Sequence, residues 1–79
     1  MAHDIIWSKV ILETFIEEAL LTNEEETVLR KRIKGCSRVS IAMDMNMSVS
    51  SVDKVIARIR RKYDTASKYN PLLPKRKQF

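Results

Sequence analysis

Seventy-nine residues make one small domain, close to the lower limit for burying a self-sufficient core. One cysteine (Cys36), one histidine (His3) and one glycine (Gly35) exclude an internal disulfide, a histidine-based metal site or catalytic set, and a glycine-rich phosphate loop. The net charge of +5 is divided: residues 1–29 hold seven acidic residues and one lysine, whereas residues 30–79 hold fourteen Lys or Arg and three Asp, so one half suits an anionic partner.

Asp4 is an N-cap for a first helix over about Ile5–Leu20, uninterrupted by Gly or Pro. Its apolar residues fall on two faces. Ile5, Leu12, Ile16, Ala19 and Leu20 share one side, and Trp7, Val10 and Ile11 lie nearly opposite. A helix at the edge of a monomer needs one apolar face. The second face therefore implies a homodimer contact at Trp7, Val10 and Ile11, unless both faces are covered inside the monomer, with Trp7 against Leu72 and Leu73.

Thr22 and Glu25 then form a capping box, with Leu21 as hydrophobic staple, and Glu24, Glu25 and Glu26 favour the positive end of the helix dipole. Val28, Leu29 and Ile33 supply the buried stripe, and Gly35 stands where a helix end takes positive φ. Ser37 caps a short helix over about Arg38–Asp44, with Val39, Ile41, Ala42 and Met43 as core residues. Asn46, tolerant of left-handed φ, lies in the turn Asp44–Met47. Ser48 caps a helix to Tyr63, which buries Val52, Val55, Ile56, Ile59 and Tyr63 and turns Ser50, Lys54, Ala57, Arg58 and Arg61 the other way. Beyond Asp64 the pattern fades; Asn70-Pro71 and Leu73-Pro74 predict an extended basic tail whose Leu72 and Leu73 tuck back on the domain.

The chain is thus expected to be all-α: one extra N-terminal helix over residues 5–20, a helix-turn-helix core over 21–63 and a tail over 64–79. No enzyme, metal or cofactor is expected, because the carboxylates lie at helix starts and on solvated faces. No run is apolar enough to span a membrane and no signal peptide is visible, which predicts a cytoplasmic protein. In a helix-turn-helix the second helix enters the DNA major groove while the first crosses the backbone, so the second must be buried on one stripe and basic or polar on the other. The run from Ser48 to Tyr63 meets this requirement.

Several segments carry a family resemblance. Leu21-Thr22-x-Glu24-Glu25-x-x-Val28-Leu29, Gly35-x-Ser37, Ile41-Ala42, Met47-Ser48-x-x-Ser51-Val52 and Ile59-x-Arg61-Lys62-Tyr63 together resemble the DNA-binding domain of LuxR/GerE regulators, a tri-helical, winged-helix-like core. They are also similar to the sigma-factor region that reads the promoter −35 element. The resemblance covers about residues 21–63. The chain departs from the LuxR pattern at Asp53, where a basic residue is usual, and at Val55, where histidine is frequent. It also has Pro71 and Pro74 where the LuxR dimerisation helix would run.

The resemblance implies a small bacterial or phage-type transcription regulator that binds specific double-stranded DNA. Ser50, Lys54, Ala57 and Arg58 are the base-edge candidates, with Asp53 able to accept from a cytosine amino group. Arg38, Ser48, Ser51 and Arg61 are the phosphate candidates, and Lys75, Arg76 and Lys77 could add backbone or minor-groove contacts. The competing reading is a sigma-like module that binds RNA polymerase or another regulator and has no DNA site of its own.

Overall fold

The computed structural model describes residues 7–74. They form four helices and no strands: α1 Lys9–Ala19, α2 Asn23–Ile33, α3 Arg38–Asp44 and α4 Val49–Tyr69. Each starts on a hydroxyl side chain that accepts a backbone N–H three residues on, from Ser8, Thr22, Ser37 and Ser48 respectively. Such caps satisfy amides that have no partner inside the helix. At α2 the capping box is complete: Thr22 accepts from the Glu25 amide and Glu25 accepts from the Thr22 amide.

The first three helices also end alike. Leu20, Gly35 and Asn46 all take positive φ, at 51°, 96° and 57°. After each, an amide reaches back five residues in the Schellman pattern: Leu21 to the Ile16 carbonyl, Cys36 to Lys31 and Met47 to Ala42. Gly35 and Asn46 are the residue types this conformation favours. Leu20 is not, and its side chain is 81% exposed, so nothing is gained by burial there. Leu20→Gly is therefore expected to stabilise the fold by about 0.5–1 kcal/mol, after allowing for the freer unfolded chain. A thermal melt tests this; a melting temperature that falls would mean the Leu20 side chain carries packing that offsets the strain.

α4 is the element against which the other three all pack. The core it organises comprises Phe15, Val28, Leu29, Ile41, Ala42, Val52, Val55, Ile59, Tyr63 and Leu73. Above it sits an aromatic cluster. Phe15 and Tyr63 meet edge-to-face with centroids 5.0 Å apart, and Trp7 closes on both at 6.0 and 5.7 Å.

Several sequence expectations are corrected here. Ile5 and Asp4 lie outside the described residues, but Trp7 and Ser8 are not helical: α1 begins at Lys9. With that start, Ile11, Leu12, Phe15, Ile16 and Ala19 form one apolar face at helical spacing. The second face disappears. Trp7 folds back on the domain core and Ile11 packs beside it, which leaves only Val10 exposed among the residues assigned to a dimer contact. Leu20 is a cap and not part of the core. On α3, Ile41 and Ala42 are buried, but Val39 and Met43 point outward, at 56% and 76% exposure.

At the other end, α4 continues six residues past Tyr63, burying Ser67 and packing Ala66 against the core. It stops at Asn70, where the following Pro71 disfavours helical backbone. The chain then turns instead of extending: the Asn70 carbonyl accepts from the Leu73 amide, and the Asn70 side chain accepts from the Leu72 amide. Leu73 is buried, Leu72 stays exposed, and the Tyr63 hydroxyl donates to the Pro74 carbonyl.

Candidate nucleic-acid interface

α3 and α4 are joined by the turn 45–48, and the hydrophobic side of α4 faces the core along Val52, Val55, Ile59 and Tyr63. The opposite face is open. Ser50, Lys54, Ala57 and Arg61 are all exposed there, and neither Lys54 nor Arg61 makes an ion pair among the described residues. Two further cations belong to this surface and escape the sequence reading. Arg60 is exposed beside Arg61, and Lys68 lies two turns beyond Arg61 on the same face. The signal for Lys68 was present in the helical spacing, but it required α4 to run past Tyr63.

At the start of α4 the serines partly satisfy one another. Ser48 Oγ accepts from the Ser51 amide at 3.1 Å and donates to Ser51 Oγ at 2.8 Å, with Ser50 Oγ 3.3 Å away. The amides of Val49 and Ser50 find no hydrogen-bond partner among the described residues, as expected of the first turn of a helix.

Arg58 is placed differently from its assignment to the open face. Its Nε donates to Glu25 and its Nη2 to Glu24, at 3.3 and 3.1 Å, both at the N-terminus of α2. Lys62, one turn on, donates to Glu25 at 2.6 Å. The reason is the helix period: Arg58 and Lys62 are four residues apart and share the flank of α4 that faces α2. Arg58 thus links α4 to α2 through two of its nitrogens, with its side chain 45% exposed.

Glu25 is the buried centre of this cluster, with 1% of its surface exposed. Burial pushes its carboxyl pKa up, but hydrogen bonds from Lys62, the Thr22 amide and Arg58 outweigh burial and hold it below its ordinary value.

Arg38 and Asp53 are brought together across α3 and α4. Arg38 Nη1 donates to both carboxylate oxygens of Asp53 at 2.8 Å. Two residues expected to act separately on a nucleic acid thus bind each other. Lys75, Arg76 and Lys77 lie outside the described residues. Among the described residues no helix is long and apolar enough to cross a membrane, and no group of three or more His, Cys, Asp or Glu could hold a metal ion. Comparison with family models, curated proteins and solved structures yields no match.

Proposed function

We propose that this chain is a sequence-specific double-stranded DNA-binding protein of the transcription-regulator class, built on a helix-turn-helix of α3 and α4. The observation that carries the proposal is the open face of α4. A helix buried along one stripe by its own domain presents Ser50, Lys54, Ala57 and Arg61 on the other, with no intramolecular partner for either cation among the described residues. A major groove about 12 Å wide admits such a helix. The amides of Val49 and Ser50 suit a phosphate at the helix start. The sequence resemblance to LuxR/GerE and sigma-type domains supports the same use of the same helix.

The test is a salt titration on random and on selected duplexes. Binding through phosphates makes log affinity fall linearly with log salt, with a slope of about −0.9 for each contact. Arg61→Ala is expected to weaken binding to both duplexes alike and to make the slope shallower by about 1. Affinity unchanged between low and moderate salt sinks the proposal.

One observation favours a second reading, a protein-interaction module of sigma-like fold that contacts RNA polymerase or another regulator. Val39 and Met43 stand one turn apart on α3, both apolar and both exposed. In this reading Val39→Asp with Met43→Asp abolishes capture of the polymerase and leaves any duplex binding unchanged.

A further inference from the structure

Resting on the DNA reading above, we infer that Arg38 and Asp53 act as one composite reader of a guanine, with Asp53 as the positioning residue and Arg38 as the donor. Arg38 rises from the first position of α3 and Asp53 from the second turn of α4. Only Nη1 of the guanidinium is engaged, by both oxygens of Asp53. Its Nε and Nη2 make no hydrogen bond among the described residues. These two atoms lie on one edge of the planar group, and their N–H bonds run parallel. A tied Nη1 fixes the plane and leaves that edge as a two-pronged donor, the complement of the paired O6 and N7 acceptors that guanine shows in the major groove.

Two physical arguments favour a base edge over a phosphate. The pair carries no net charge, so its Coulomb attraction for a phosphate is largely cancelled, while its directional hydrogen bonding is retained. A guanidinium held by a carboxylate also loses less rotamer freedom on binding than a free arginine does. A mere fastening of α3 to α4 explains less. Both side chains are about half open to water, at 53% and 44% exposure. Such pairs contribute little to folding, and the two helices already share the core through Ile41, Ala42, Val52 and Val55. Asp53 is therefore not a misplaced repulsive charge on a basic face. It converts Arg38 from a general cation into a selective donor.

The test measures duplex binding of the full chain by fluorescence anisotropy, on the best duplex selected from a random pool and on a scrambled duplex of equal composition. The variants are Arg38→Ala, Arg38→Lys, Asp53→Asn and the Arg38→Ala, Asp53→Asn double. Circular dichroism checks that each remains folded. Asp53→Asn is expected to weaken the selected duplex tenfold or more, and to leave the scrambled duplex unchanged or bound more tightly. Arg38→Lys keeps the charge but loses the flat edge, and is expected to be as weak on the selected duplex as Arg38→Ala. The double variant is expected to be no weaker than Arg38→Ala, because Asp53 acts only through Arg38. Additive losses overturn the inference, as does an Asp53→Asn variant that tightens both duplexes equally. Equal loss from both duplexes on Arg38→Ala makes Arg38 a phosphate contact and overturns it too. In all three cases selective, salt-dependent binding by the wild type leaves the DNA reading standing. A wild type that binds neither duplex removes that reading and this inference with it.

Discussion

Phe15→Ala is expected to destabilise the fold by about 3–5 kcal/mol, the range for removing a buried aromatic ring from a packed core. Phe15 is fully buried, and it is the residue through which α1 is seated on α4: its ring meets Tyr63 edge-to-face and lies under Trp7. A small domain has a total stability of only about 5–15 kcal/mol, so this one change approaches the whole margin. Urea unfolding followed by circular dichroism measures the loss. Trp7, the only tryptophan, gives a second probe, because its fluorescence should shift toward that of a solvated indole in the variant. A cost under about 1 kcal/mol would mean that α1 is not anchored by this ring.

Glu25→Gln is expected to cost about 1.5–3 kcal/mol, the range for hydrogen bonds to a charged group. The amide keeps the shape and can still accept from the Thr22 amide, but it loses the charge that Lys62 and Arg58 address. The same residue sets an acid limb. Its pKa in the folded chain is depressed, so its contribution is fully present above the unfolded value of 4.5 and is lost as pH falls through the folded value. Wild-type stability should therefore decline from about pH 5 downward, more steeply than that of Glu25→Gln. Equal slopes for the two proteins would remove Glu25 as a source of the acid sensitivity.

The local signals of this fold were readable one residue at a time. Thr22 with Glu25, Ser37 and Ser48 mark helix starts, because a hydroxyl there meets an amide that has no other partner. Gly35 and Asn46 mark helix ends, because positive φ is tolerated by few residue types. The stripe Val52, Val55, Ile59 and Tyr63 follows from the helix period. On the open face, Ser50, Lys54, Ala57 and Arg61 were placed by the same period.

Helix class, caps, turns and the buried side of α4 thus follow from the order of the residues. The tertiary structure alone decided which side chains meet across helices. A helix running through Trp7 would carry a second apolar face, whereas in the folded core Trp7 doubles back over Phe15 and Tyr63. Arg58 and Lys62 lie 33 and 37 residues from Glu25, and no periodicity links either of them to it. Arg38 and Asp53 likewise read as two independent polar residues until α3 and α4 are set side by side. Helix periodicity and capping act over three or four residues. Ion pairing between helices depends on their relative placement, which the shared burial of Ile41, Val52 and their neighbours sets.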